Sequence, residues 1–180
     1  MDKIEIIGGK KLNGQVSISG AKNAALPILA STLLGGGRSF ISNVPKLADI
    51  QSMLALLSDL GAEYRFEDGC MEIDTSNIRK LVAEYDLVRK MRASILVLGP
   101  LLAKFGYARV SLPGGCAIGA RPVDLHLTAL EALGADIRIE HGYIEATADR
   151  LCGGEIYFDT PTVTGTENIL MAACLARGRT

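Results

Sequence analysis

The chain has 180 residues, of which 48% are hydrophobic and 22% are charged, and its 19 basic and 20 acidic side chains leave a formal net charge of -1. This composition is typical of a soluble globular protein with one large or two small domains, and it excludes the disordered and fibrous classes. The near-zero charge also argues against electrostatic binding of nucleic acid, because counterion release requires clustered Lys and Arg side chains.

The N-terminal segment MDKIEIIGGKK contains acidic residues and no sustained apolar stretch, so it does not have the pattern of a signal peptide. The longest apolar run, residues 95–103, is interrupted by Gly99 and Pro100. It is far shorter than the roughly 20 residues that cross a bilayer. We therefore expect no membrane span and a cytoplasmic location.

A first candidate site lies at the start of a predicted helix. Gly20 precedes an Ala- and Leu-rich segment whose first turn carries Lys22 and Asn23. The free N–H groups, the helix dipole and the ammonium group can together attract a phosphate. A solvated surface lysine explains the same pattern equally well. Neither a Gly-x-Gly-x-x-Gly motif nor a Walker loop occurs, so the motifs for dinucleotides and ATP are missing.

A repeat organises the chain. Residues 49–62 have apolar side chains at helical spacing, with Asp49 as a plausible N-cap, and a predicted hairpin with an Asp68-Gly69 turn follows. The same order returns 73 positions later, where Gly134 takes the place of Gly61 as the helix stop. Chance similarity of two amphipathic helices is the alternative.

Related helix starts support the repeat. The segments around Asn23 and Asn168 are similar and lie 145 positions apart, and Met91-Arg-Ala-Ser opens a helix between them. The pattern predicts that each unit contains, in order, a strand, a helix, a strand, a helix and a two-stranded hairpin. This order is typical of an α/β fold with both parallel and antiparallel strand pairing. The third unit stops after its first helix, so we expect this chain to be part of something longer.

The most unusual segment is the glycine-rich loop 112–126, between a predicted strand at 108–112 and a helix that starts near Asp124. Its glycines permit positive φ angles and close approach of the backbone to a ligand. Arg121 places a cation near Cys116 in sequence, which lowers a thiol pKa and favours the thiolate. The alternative interpretation of Cys116 is a small buried hydrophobic residue.

The other candidate groups have simpler interpretations. The four cysteines form no Cys-x-x-Cys pair, and two histidines cannot build a His-rich metal site. We expect His126 on a helix face and His141 in a hairpin turn. Arg92 lies just before an apolar helix predicted at 95–104, and a surface cation is the alternative interpretation of this residue. Three cysteines are expected to be small buried hydrophobic residues: Cys70, Cys152 and Cys174.

Four segments together closely resemble the UDP-N-acetylglucosamine 1-carboxyvinyltransferase family of enolpyruvyl transferases: 20–27, 91–94, 113–126 and 166–168. The resemblance extends from about residue 3 to the last residue. It implies an inside-out α/β barrel, the enolpyruvyl-transferase fold, in which two domains are each built from three βαβαββ units. It also implies transfer of the enolpyruvyl group from phosphoenolpyruvate to the 3-hydroxyl of UDP-N-acetylglucosamine with release of phosphate, the first committed step of peptidoglycan synthesis. No metal or organic cofactor is implied.

The resemblance also implies roles for individual residues. Cys116 would protonate the methylene carbon of phosphoenolpyruvate, form a covalent adduct with it and be alkylated by fosfomycin. Lys22 and Arg121 would hold the phosphate and carboxylate of phosphoenolpyruvate, and Asn23 would help to position the reactants. Thr164 stands where the family usually has a glycine. The UDP-sugar site would be lined by Arg92, Arg121, Pro122, Val123, Asp124, Leu125, Pro161, Thr162, Val163 and Thr164.

Members of this family are more than twice as long as this chain. We expect residues 1–20 to form a strand region that would belong to a second domain, and residues 21–180 to form the first domain, incomplete in its third repeat. The second domain would supply an aspartate that deprotonates the sugar hydroxyl and a further arginine for phosphoenolpyruvate. We therefore expect the chain alone to turn over poorly or not at all. The expected partners are the two small substrates and this missing C-terminal domain, with no nucleic acid or membrane.

Two rival interpretations follow from the same residues. The shikimate-pathway enolpyruvyl transferase shares the fold and phosphoenolpyruvate, although the Cys116 loop argues against it. A non-catalytic sugar-nucleotide binding module would have an unreactive Cys116.

Overall fold

The computed structural model describes residues 3–112 and 123–180. Short helices and strands alternate along this part of the chain. The helices are α1 (Lys22–Gly35), α2 (Ala48–Leu60), α3 (Tyr85–Val88), a 3-10 helix (Arg92–Val97), α4 (Leu98–Phe105), α5 (Asp124–Ala132) and α6 (Val163–Ala173). The strands are β1 (Arg38–Ile41), β2 (Glu63–Glu67), β3 (Cys70–Asp74), β4 (Val82–Ala83), β5 (Tyr107–Ser111), β6 (Asp136–Glu140) and β7 (Tyr143–Thr147).

Two sheets are formed. The first has the order β1-β3-β2 and is antiparallel throughout, and the second has the order β4-β5-β7-β6, in which β4 pairs with β5 in parallel and the other pairs are antiparallel. The predicted mixture of parallel and antiparallel pairing is therefore confirmed. An isolated parallel bridge between Cys152 and Arg177 lies outside both sheets.

The two hairpins confirm the repeat. Hairpin β2-β3 and hairpin β6-β7 correspond residue for residue at a spacing of 73 positions. Each has a two-residue turn with positive φ at both positions, 47° and 77° at Asp68-Gly69 and 52° and 80° at His141-Gly142. Such a turn matches the right-handed twist of the strands that it joins. His141 is a hairpin-turn residue, as expected.

Helix α2 ends as the sequence predicts but begins differently. Gly61 has a φ of 115° and donates its N–H to the carbonyls of Leu57 and Ser58, which closes the last turn. The prediction that Asp49 caps the start is wrong. Leu47 occupies the N-cap position, and Asp49 lies in the first helical turn. Its carboxylate forms an ion pair with a side chain of α1 instead.

The core lies between helices, and the sheets lie outside them. Helices α1, α4 and α6, one from each repeat, pack against one another pairwise. Their contact surfaces are apolar and fully buried, as at Leu29, Leu33, Leu98, Leu101 and Ala172. Because the helices are central, the outward faces of the sheets carry charged side chains that pair across the strands, as in Arg38 with Glu72. The inside-out arrangement expected from the sequence is present.

Residues 3–21 form no helix or strand, and residues 3–19 are exposed. The assignment of residues 1–20 to a second domain remains a prediction. Among the residues that the structure describes, no helix is long and apolar enough to cross a membrane.

Candidate functional site

The first residues of three helices meet in one cleft. Lys22 begins α1, Arg92 begins the 3-10 helix, and Val163 begins α6. Each lies at the start of a helix in a different repeat, and Lys22 and Arg92 lie 70 positions apart. The cleft has a volume of about 570 Å3. Its lining comprises Lys22, Asn23, Leu26, Pro27, Asp49, Lys90, Met91, Arg92, Ala93, Leu96, Val163, Thr164 and Glu167.

This arrangement favours an anionic ligand. The N-termini of α1 and α6 present N–H groups without intrahelical partners and the positive ends of their dipoles. Lys22, Lys90 and Arg92 add full positive charges around the same space. Because the net charge of the chain is only -1, attraction of an anion depends on this local grouping and not on the overall field.

The cleft gathers five of the residues that the sequence analysis assigned to substrate binding, namely Lys22, Asn23, Arg92, Val163 and Thr164. Arg92 is half-buried in the cleft wall, so the alternative of a plain surface cation is not supported.

The structure does not place the other described residues of this assignment in the cleft lining. Val123, Asp124 and Leu125 form the start of α5, which begins at Asp124 as predicted. Leu125 lines a separate depression of about 330 Å3 together with residues 155–159. Pro161 precedes the N-cap of α6 and is exposed. Three assigned residues lie outside the described part of the chain: Cys116, Arg121 and Pro122.

Lys22 is held by an acidic side chain that the sequence analysis assigned to helix capping. Its Nζ lies 2.6 Å from Asp49 Oδ2, and both side chains are partly exposed, at 44% and 35%. Asp49 also lines the cleft, so it lies where an anion would approach Lys22. No signal in the sequence indicates this pair, because the two residues come from different helices.

Glu167 is a second acidic group that the sequence analysis did not assign to the site. It lines the cleft from the first half of α6. Burial raises the pKa of its carboxyl group, because desolvation disfavours the charged form. The cleft therefore contains two acidic side chains, Asp49 and Glu167, as well as the three cationic ones.

The start of α1 has an unusual backbone. A Cβ on Gly20 would overlap the carbonyl oxygen of Asn43, so only glycine permits this approach of the chain. Inside the helix, Pro27 has no N–H to donate to the carbonyl of Asn23, four residues earlier. Both Asn23 and Pro27 line the cleft.

The start of α6 is fixed by its own N-cap. The Thr162 side chain accepts a hydrogen bond from the N–H of Gly165 at 3.1 Å, and the Thr166 hydroxyl donates to the Thr162 carbonyl at 2.6 Å. A Cβ on Gly165 would overlap the Thr162 side chain. The glycine in this turn is Gly165, one position after Thr164, and Thr164 lines the cleft.

His126 is a helix-face residue, as expected, whereas three cysteines differ in burial from expectation. His126 lies on the buried face of α5, and burial lowers the pKa of its imidazole. The expectation that Cys70, Cys152 and Cys174 are buried is wrong, because all three are exposed. They lie at the start of β3, at the isolated bridge and at the C-cap of α6. Within residues 3–112 and 123–180, no group of three or more His, Cys, Asp or Glu side chains could hold a metal ion.

Comparison with known proteins shows the family of this chain. The family model for EPSP synthase (3-phosphoshikimate 1-carboxyvinyltransferase) matches residues 6–180. The chain belongs to the EPSP synthase family. The enolpyruvyl transferase NikO from Streptomyces tendae has a similar structure, with a TM-score of 0.77 and 23% identity over 95% of this chain and 41% of that chain. The enolpyruvyl-transferase fold expected from the sequence is confirmed.

Within the family, the curated relatives of high identity share one name. The chain is 68% identical over all 180 residues to UDP-N-acetylglucosamine 1-carboxyvinyltransferase from Desulforapulum autotrophicum, and 61% identical to the protein of that name from Desulfosudis oleivorans. Each alignment covers 100% of this chain and 43% of the relative. The chain therefore spans less than half the length of these relatives.

Proposed function

We propose that this chain supplies the cationic side of a UDP-N-acetylglucosamine 1-carboxyvinyltransferase active site. The reaction transfers the enolpyruvyl group from phosphoenolpyruvate to the 3-hydroxyl of UDP-N-acetylglucosamine and releases phosphate, at the start of peptidoglycan synthesis. The observation that carries the proposal is the cleft that joins Lys22, Asn23, Arg92 and Thr164 from three repeats. The 68% identity to a relative of that name supports the choice of acceptor.

The charges of the cleft suit both substrates. Phosphoenolpyruvate and the diphosphate of the nucleotide are strongly anionic, and Lys22 and Arg92 face the same space. In the reaction, the sugar hydroxyl gives its proton to the aspartate expected from the second domain, and its oxygen bonds to C2 of phosphoenolpyruvate while C3 gains a proton. The C–O bond to phosphate then breaks, and C3 loses a proton to restore the vinyl group. Fixed cations stabilise the charge on the departing phosphate without reorganisation.

Residues assigned from the family resemblance complete the proposed site. Cys116 supplies the proton to C3 and is the thiol that fosfomycin alkylates, while Arg121 binds phosphoenolpyruvate together with Lys22. Asn23 positions the reactants. The sugar nucleotide is bound by Arg92, Arg121, Pro122, Val123, Asp124, Leu125, Pro161, Thr162, Val163 and Thr164. We propose that the protein acts in the cytoplasm, where both substrates occur.

A second candidate acceptor is shikimate 3-phosphate, because the matching family model describes 3-phosphoshikimate 1-carboxyvinyltransferase. The two acceptors can be separated in one assay. Residues 1–180 are fused to the remaining part of the Desulforapulum autotrophicum relative, and phosphate release from phosphoenolpyruvate is measured with each acceptor. We expect release with UDP-N-acetylglucosamine and none above background with shikimate 3-phosphate. The reverse preference would refute the proposal.

Two controls refine this assay. Cys116→Ala is expected to abolish phosphate release. Cys152→Ser, which changes an exposed cysteine that is not assigned to the site, is expected to leave phosphate release unchanged. The 180-residue chain without the fused part is expected to release phosphate poorly or not at all. Robust turnover by the chain alone would contradict a site shared with a second domain.

A further inference from the structure

A buried polar link joins four helices, namely the 3-10 helix, α4, α5 and α6, and it reaches the cleft at Thr164. Asn168 of α6 is fully buried, and His126 of α5 is 4% exposed. The Gly99 N–H donates to Asn168 Oδ1 at 2.8 Å, and Asn168 Nδ2 lies 3.2 Å from the Ile95 carbonyl oxygen and 3.0 Å from His126 Nδ1. His126 Nε2 lies 3.4 Å from the hydroxyl of Thr164.

The Asn168 carboxamide takes the place of a helical hydrogen bond. In a continuous α-helix, the Gly99 N–H would donate to the Ile95 carbonyl four residues earlier. Here the carboxamide bridges these two groups at the junction between the 3-10 helix and α4. Gly99 permits the approach, because a Cβ there would overlap Asn168 Oδ1. Pro100 also favours a break, since it cannot donate to the carbonyl of Leu96.

These contacts determine the protonation of His126. The Gly99 N–H fixes which end of the Asn168 amide is oxygen, so the other end is the NH2 group. Its two hydrogens face the Ile95 carbonyl and His126 Nδ1. Nδ1 is therefore an acceptor without a proton, and the neutral ring carries its hydrogen on Nε2, which donates to Thr164.

We propose that Asn168 and His126 are positioning residues, which hold the 3-10 helix of Arg92 and the Thr164 hydroxyl in the arrangement that the cleft requires. The role of the two residues in substrate binding rests on the proposed function. Their hydrogen bonds are those of the chain without ligand. The link is buried, so loss of one member leaves polar groups unpaired in a medium of low dielectric. Neither residue contacts the substrate itself in this proposal.

The first test is spectroscopic and needs no ligand. Nitrogen NMR of the 180-residue chain at pH 7 is expected to show His126 with an unprotonated Nδ1 and a protonated Nε2. In Asn168→Asp, the carboxylate cannot donate to Nδ1, so His126 is expected to take up a second proton. His141→Asn, in an exposed turn, serves as the control and leaves the His126 signals unchanged. A proton on Nδ1 in the unsubstituted chain would overturn the proposal. Identical protonation of His126 in the unsubstituted chain and in Asn168→Asp would overturn it as well.

The second test measures the consequence for the cleft. Asn168→Ser is expected to speed hydrogen exchange of the Gly99 amide by about tenfold and to shift the Arg92 and Thr164 resonances. His126→Asn, whose amide oxygen mimics Nδ1, is expected to keep Gly99 protected. In the fused enzyme, Asn168→Ser is expected to raise KM for UDP-N-acetylglucosamine more than it lowers kcat. Unchanged Arg92 and Thr164 resonances in Asn168→Ser would overturn the positioning role. If the NMR results are as expected but the unsubstituted fused enzyme is inactive, only the proposed function is overturned.

Discussion

Lys22 Nζ and Asp49 Oδ2 lie 2.6 Å apart at the cleft, and they join the first residue of α1 to the first turn of α2. The pair places a carboxylate beside the cation that would bind a phosphate. An incoming anion must therefore compete with Asp49 for the ammonium group. Since both side chains are partly exposed, the pair itself contributes little to folding, about 1 kcal/mol or less.

Asp49→Asn is expected to increase the affinity of the chain for inorganic phosphate by roughly twofold to tenfold, because the competing charge is removed. Calorimetric or NMR titration measures the change. Asp59→Asn is a matched control, because Asp59 forms a similar ion pair with Lys80 at 2.9 Å. The Lys80 side chain is 36% exposed and the Asp59 side chain 35%, and neither residue lines the cleft. Weaker phosphate binding by Asp49→Asn would mean that Asp49 acts mainly by orienting Lys22.

Gly99→Ala is expected to lower the free energy of unfolding by at least about 2 kcal/mol, because its Cβ would overlap the carboxamide of Asn168 and separate it from the Gly99 N–H. Gly35→Ala is the control at the end of α1, where an added Cβ would meet no side chain of the described residues within 4 Å. It is expected to be neutral or to stabilise by about 0.5–1 kcal/mol through helix propensity. Chemical denaturation of both variants measures the difference, and equal stabilities would show that α4 can move away from α6.

The stability of the chain is expected to fall on acidification through His126. Burial lowers its folded-state pKa below the ordinary 6.5, so the unfolded state takes up a proton that the folded state does not. The contribution of His126 is therefore complete above about pH 6.5 and is lost as the pH falls toward the folded-state pKa. Glu167 acts in the opposite sense, since burial raises its pKa and the folded state takes up its proton first.

Denaturation at a series of pH values between about 7.5 and 5 tests this dependence in the unsubstituted chain and in His126→Gln. The effect of Glu167 is common to both proteins, so the difference between the two curves reports His126. The difference is expected to shrink as the pH falls below about 6.5. Parallel curves would show that His126 takes up its proton equally in the folded and unfolded chain.

Helix ends and tight turns could be predicted from the sequence, because nearby residues determine them. The stop of α2 at Gly61 and the start of α5 at Asp124 were predictable, because they depend on residues a few positions apart. The turn at Asp68-Gly69 was predictable for the same reason, since Asp-Gly accepts the positive φ angles of a two-residue hairpin.

The features that required the structure depend on distant residues. The single helix predicted at 95–104 is in fact a 3-10 helix followed by α4, and its junction is bridged by Asn168, about 70 positions away. The pairing of Lys22 with Asp49 likewise joins two helices, and helical spacing carries no information about such a contact. Exposure of Cys70 was also not predictable, because the side chain of a strand residue faces inward or outward according to the sheet register.

The proposed function requires that the cleft of Lys22 and Arg92 binds the reacting anions. The direct test is the rate of phosphate release by the fused enzyme with phosphoenolpyruvate and UDP-N-acetylglucosamine, measured for Lys22→Met and Arg92→Met. Arg138→Met is the control, because Arg138 pairs with Asp136 on an exposed strand away from the cleft. We predict a loss of at least about 100-fold for each cleft variant and no change for Arg138→Met. Rates within about twofold of the unsubstituted enzyme for Lys22→Met and Arg92→Met would contradict the central claim.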